Sequence, residues 1–213
     1  MRTSNRTSSA GNFRFIAGKA GFLVLLCIGF ARPTQPETKP SDESALSAGN
    51  ARAVVFLCDG SGTMLHRIAR VRAHLKASIR SLSPAQRFDI AVFTDDRVMC
   101  FKYHLMAASD RNISDALKYI DWAVVAHGDT QPAVGVRRAL EEKPELIIMA
   151  TDGDFQPQDV VDIHDANLTS RTPIDVVQFV GAGPDCPGEK LARAIAEENH
   201  GRFRVVDVTD SKK

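Results

Sequence analysis

The segment Ala53-Val-Val-Phe-Leu-Cys58 contains no polar side chain, which fits a strand buried on both faces and so demands a sheet covered by helices on each side. Runs of this kind then alternate with helical patterns. From Met64 to Leu82, the residues Leu65, Ile68, Val71, Leu75, Ile79 and Leu82 recur at three- and four-residue intervals and form one face of a helix. Phe88–Phe93 is a second strand and Val98–Tyr103 a third, paired antiparallel with it, because the Asp95-Asp96 turn is too short for a crossover. Helices are expected over Ser114–Val125, Ala133–Leu140, Val160–Leu168 and Gly188–Asn199, and strands over Leu146–Ala150, Ile174–Val180 and Phe203–Val206. The expected fold is therefore α/β and doubly wound: a mostly parallel, six-stranded sheet with one antiparallel edge strand and helices on both faces.

At 213 residues the chain has room for one well-buried domain and a tail. Residues 51–213 read as that domain. Residues 32–50 are rich in Pro, Ser, Glu and Thr and read as a flexible linker. Before them, Arg2, Arg6, Arg14 and Lys19 precede an apolar run, Ala20–Ala31. This order makes residues 1–31 either a cleaved export signal or an uncleaved membrane anchor, and in both cases the domain faces outward, secreted or anchored. The run falls short of the roughly 20 apolar residues a span needs.

Twenty-seven basic and 26 acidic residues leave a formal charge of +1, so nucleic acid is not the expected partner. The basic residues Arg67, Arg70, Arg72, His74, Lys76 and Arg80 read as a solvated helix face. Cys58 and Cys100 fall in strands and read as small buried hydrophobes. A bridge to Cys186, in a Gly/Pro loop, is the alternative in an oxidising compartment.

The chemistry-bearing residues cluster at strand ends. Asp59-Gly60-Ser61-Gly62-Thr63 follows the first strand, and Thr151-Asp152-Gly153 ends the fourth. In open α/β sheets the carboxyl edge is where loops form a ligand crevice. Asp59, Ser61 and Thr63 can converge on one point if Gly60 and Gly62 turn the backbone tightly. A further hydroxyl, Thr130, comes from the loop His127-Gly128-Asp129-Thr130. Hard oxygen donors without a competing Cys/His cluster imply Mg²⁺, with Mn²⁺ or Ca²⁺ as alternatives. The same residue types also serve as helix caps and turn formers.

Together these segments resemble a von Willebrand factor A or integrin I-type domain with a metal-ion-dependent adhesion site. In that family a D-x-S-x-S motif follows the first strand, a Thr comes from a middle loop, and an Asp lies in a T-D-G turn. The resemblance places the metal site at Asp59, Ser61, Thr63, Thr130 and Asp152, and it extends through the closing Leu191–Phe203 segment. It implies that Ser61, Thr63 and Thr130 reach the ion directly while Asp59 and Asp152 act through coordinated water. A cation held by neutral hydroxyls stays electron-poor and seeks an anionic oxygen, so the implied partner is a protein offering an acidic side chain, and the implied function is adhesion without catalysis. The family's middle loop reads Gly-Gly-Thr, where this chain has Gly128-Asp129-Thr130. Asp129 is expected to face solvent or cap the next helix, and Asp95, Asp96 and Asp154 read as plain loop carboxylates.

The competing class is a Mg²⁺-dependent phosphoryl-transfer enzyme with Asp59 as aspartyl nucleophile. That pattern needs a second Asp two positions on, where this chain has Ser61, and a strand-end Lys, where it has Gly181-Ala-Gly-Pro. Among the six histidines no H-x-x-x-H pair occurs, so a zinc hydrolase is not indicated.

Overall fold

The computed structural model describes residues 46–95, 97–181 and 188–209. Their apolar runs become a seven-stranded sheet in the order β3-β2-β1-β5-β6-β7, with β4 also paired to β2. The strands are β1 (Ala53–Asp59), β2 (Arg87–Thr94), β3 (Arg97–Cys100), β4 (Met106–Ala107), β5 (Leu146–Thr151), β6 (Ile174–Val180) and β7 (Phe203–Asp207). The pairs β1·β2, β1·β5, β5·β6 and β6·β7 are parallel, whereas β3 and β4 run antiparallel to β2. The α/β doubly wound reading is met, with one addition. β3 covers Ala91–Thr94 of β2 and the two-residue β4 covers Arg87 and Phe88, so the antiparallel edge is one strand interrupted at residues 101–105. Two residues are too few to carry an alternation signal.

Helices α1 (Ile68–Arg80), α2 (Asp110–Ala123), α3 (Pro132–Leu140), α4 (Pro157–Asn167) and α5 (Glu189–Glu198) cover both faces. Along β1, Val54, Phe56 and Cys58 enter the core under α1 and α2, while Val55 and Leu57 enter the core under α3, α4 and α5. That two-residue period is what a strand packed on both sides requires.

Several expectations need correction. The helix after β1 does not start at Met64: Gly62–His66 forms a 3-10 turn, and α1 begins at Ile68. The tighter turn rotates the pattern, so Met64 is buried and Leu65 is 62% exposed. Val71, Leu75, Ile79 and Leu82 keep their expected burial. α2 starts four residues earlier than its apolar pattern, because Ser109 caps it by accepting from Asn112 N at 3.3 Å. The basic face of α1 is not all solvated: His74 is buried with its ring edge against Phe179, and Arg72 donates to Val124 O at 2.6 Å. Leu46 and Ala48 are buried in the core, so residues 46–50, read as linker, belong to the ordered body. The apolar run Ala20–Ala31, residues 32–45, Asp96 and Cys186 lie outside the described residues. Among those described, no helix is long and apolar enough to cross a membrane, and Cys58 and Cys100 are free and buried.

Candidate functional site

β1 and β5 are neighbours in parallel register, with Cys58 opposite Ala150, so the loops that follow them open side by side at the carboxyl edge. The first loop is folded around its own acid. Asp59 is fully buried; its Oδ1 accepts from Ser61 N at 2.9 Å and its Oδ2 from Thr151 Oγ1 at 2.8 Å. One carboxylate thereby ties both strand ends together. Burial pushes Asp59 up to about 6, against the pull of the bonds from Ser61 and Thr151. Gly60 must lack a side chain, since a Cβ there would sit 2.6 Å from Thr94 Cγ2 and 2.9 Å from Val92 Cγ1.

The turn brings Ser61 Oγ and Thr63 Oγ1 to 3.0 Å of each other. The middle loop is laced against it: His127 N donates to Gly60 O at 2.7 Å, and Gly62 N donates to Gly128 O at 2.9 Å. From the other side Asp95, at the end of β2 with φ +46°, fixes the same loop. Its Oδ1 accepts from Asp129 N at 2.7 Å, and its own N donates to Asp129 O at 2.9 Å. Ser61, Thr63 and Thr130 then line one cavity of about 180 Å³, together with Asp129, Asp154 and Asp159.

Asp152 is placed differently. Its Oδ1 accepts from Asp154 N at 3.2 Å, and its Oδ2 pairs with Arg67 Nη1 at 3.3 Å. The same Arg67 nitrogen donates to Thr63 O at 3.1 Å. The structure therefore brings Ser61, Thr63 and Thr130 around one cavity, with Asp59 beneath the loop and Asp152 engaged by a guanidinium.

Sequence reading missed two participants, Arg67 and Asp95. Arg67 was assigned to a solvated face, yet its side chain reaches Asp152. Asp95 was read as a plain turn acid, yet it holds the middle loop across 34 residues of sequence. Asp129 faces solvent, one of the two placements expected of it, and also lines the cavity with Asp154; it does not cap α3, whose amino end has no side-chain cap. His127 is an exposed loop residue, acting through its backbone.

A doubly wound sheet with its hydroxyl- and carboxylate-bearing loops gathered at the carboxyl edge defines the class of fold. The family follows from comparison: the sequence pattern of the von Willebrand factor type A domain matches residues 22–205, and the chain belongs to that family. Domains of this family generally serve as protein-interaction modules, and often bind a divalent metal. No curated protein is matched by sequence. Among solved structures, the chain is similar to a von Willebrand factor type A protein from Catenulispora acidiphila, with 18% identity and a TM-score of 0.61 over 78% of this chain. It spans 44% of that protein's length. It is also similar to the conserved hypothetical protein BatB from Bacteroides thetaiotaomicron, at 13% identity and TM-score 0.57, covering 72% of this chain and 89% of that one. An aerotolerance-related membrane protein from Bacteroides fragilis, carrying multiple mutations to serine, matches at 16% identity and TM-score 0.57 over 73% of this chain and 91% of its own. At these identities the likeness establishes the fold.

Proposed function

We propose that the chain is a non-catalytic, metal-dependent protein-binding module that works outside the cytoplasmic membrane. The observation that carries this reading is the convergence of Ser61, Thr63 and Thr130, from two remote loops, on one cavity. Such a donor set fits Mg²⁺, with Mn²⁺ or Ca²⁺ as alternatives, because all its atoms are hard oxygens. When bound, the ion would offer an electron-poor position to an acidic side chain of a protein ligand. The chain's own residues prepare that position. Asp59 holds the first loop in its turn, Asp95 and the backbone of Gly60 and Gly62 hold the middle loop, and Asp154 N orients Asp152. Ser61 stands where an aspartyl phosphatase needs its second acid, which supports binding over turnover. The outward location rests on the basic residues before the apolar run Ala20–Ala31. A reporter fused at Lys213 that is active in the cytoplasm and silent when placed for export would contradict it.

The decisive experiment is thermal unfolding of the wild type and Thr130→Ala with and without millimolar Mg²⁺. An ion that binds only the folded state raises stability with the logarithm of its saturation. The wild type should gain, and the variant should lose most of that gain while its metal-free stability falls by only about 1 kcal/mol, the contribution of one hydroxyl. No Mg²⁺ or Mn²⁺ effect on the wild type, or outright unfolding by Thr130→Ala, would show the hydroxyls to be structural.

A further inference from the structure

Inside β2, Asp89 interrupts an otherwise apolar stretch, Phe88-Asp-Ile-Ala-Val-Phe93. It shares a strand face with Ala91 and Phe93, which pack under α3. The antiparallel edge breaks at the same level, where Lys102 N donates to Asp89 Oδ1 at 3.0 Å in place of a ladder bond. Cys100, opposite Ala91 at the end of β3, and Glu142, just beyond α3, close on this point. One ligating atom from each of the three residues lies within 4.8 Å of the others.

The cluster is sealed. Asp89 is fully buried, Cys100 is buried, and the Glu142 side chain is 2% exposed. Asp89 and Glu142 face each other within hydrogen-bonding reach, and with both ionised neither Asp89 Oδ2 nor Glu142 Oε2 has a donor among the described residues. Arg138 pairs with Glu142 Oε1 at 3.2 Å but also donates to Tyr103 O and to Glu141. Three ionised ligands with one guanidinium leave a net charge of −2. Burial opposes that charge, pushing Glu142 up to about 8 and Cys100 up to about 12 and raising Asp89. Such a cluster must take up either two protons or one divalent cation.

We propose that Asp89, Cys100 and Glu142 form a second, buried site for a divalent d-block ion of the zinc class, separate from the hydroxyl-lined cavity. A thiolate with two carboxylates suits a borderline-soft ion and does not suit Mg²⁺. Side-chain rotation must draw the ligand atoms, now within 4.8 Å of one another, onto bonds of about 2.0–2.3 Å. The charge of the ion balances the cluster, and Asp89 Oδ2 and Glu142 Oε2 gain a partner.

Cobalt(II) titration of the metal-stripped full-length chain tests this. One of the Co²⁺ ions that the wild type takes up should give a near-ultraviolet thiolate-to-cobalt charge-transfer band that stoichiometric Zn²⁺ bleaches and millimolar Mg²⁺ does not. Cys100→Ser should abolish the band, and Glu142→Gln should weaken Co²⁺ binding at least tenfold. Thr130→Ala should leave the thiolate band unchanged, which separates this site from the proposed adhesion face. A wild type without the band overturns the proposal whatever the variants do. So does a band that survives Cys100→Ser in a variant whose circular dichroism shows it folded, since another cysteine then supplies the thiolate.

Discussion

Replacing Asp95 by Ala should detach the middle loop from the sheet while leaving the core untouched. Asp95 contributes a charged acceptor to Asp129 N at 2.7 Å and occupies φ +46°. A bond to a charged acceptor contributes about 1.5–3 kcal/mol, and the half-buried position of Asp95 argues for the lower end, about 1.5 kcal/mol. An Ala at positive φ adds roughly 1–2 kcal/mol of backbone strain. The summed loss of about 3 kcal/mol should lower the unfolding midpoint by about 6–12 °C at about 2–4 °C per kcal/mol for a domain of this size. The part that matters for function is the loop anchor. If Thr130 must be re-ordered at a cost of about 1.5 kcal/mol, Mg²⁺ affinity should fall about tenfold. Asp95→Asn tolerates the left-handed backbone and keeps an acceptor but not the charge, so it should fall between the two. Calorimetric titration with Mg²⁺, beside amide hydrogen exchange at Gly128 and Asp129, measures both quantities. An Asp95→Ala protein that is destabilised yet binds Mg²⁺ like the wild type, with unchanged exchange at those amides, would refute a positioning role for this carboxylate.

Gly60→Ala should cost about 1–3 kcal/mol by overpacking against Thr94 and Val92, and should blunt the Mg²⁺-dependent midpoint shift, both read from the same melting curves. In chelator, Glu142 holds a proton up to about 8 in the folded chain but releases it near its ordinary value when unfolded. Its stabilising contribution is therefore complete below the unfolded value and is lost as pH rises through the folded one. Glu142→Gln should flatten that loss between about pH 5 and about pH 9 in urea titrations; a parallel pH profile would sink the argument. Phosphomonoesters with Mg²⁺ should not be turned over, and any hydrolysis abolished by Asp59→Asn would favour the enzyme reading.

The sheet was legible because its strands are apolar on both faces. Ile174–Val180 was read with the bounds the structure has, and Phe88–Phe93 and Leu146–Ala150 were within a residue at each end. Loop residues Ser61, Thr63 and Thr130 were legible as hydroxyls at the sheet's carboxyl edge. What escaped depends on contacts between remote segments. Asp95 has the local character of any turn acid, and only its partner in the middle loop gives it a role. Arg67 lies at the junction of the 3-10 turn and α1, where helical periodicity misassigns direction; the same junction exchanged Met64 for Leu65 in the core. Asp89 did carry a signal, a lone charge inside an apolar strand, but its meaning required Cys100 and Glu142 to be brought beside it.

The electrostatics of the cavity follow from the same geometry. Asp129, Asp154 and Asp159 line it, and Asp159 is raised by burial and then by its acidic neighbours Asp162 and Asp154. These carboxylates favour a cation over a hydroxyl-only face but repel an acidic ligand side chain. Arg67 works in the opposite sense: its ion pair neutralises Asp152, whose side chain is only 5% exposed. The proposed module thus departs from its family pattern at position 129, where an acid stands in place of glycine, and Arg67 offsets part of the acidic charge around the site. Changing either residue alone alters the balance between holding an ion and accepting an acidic partner, and Arg67 also touches the first loop through Thr63 O at 3.1 Å.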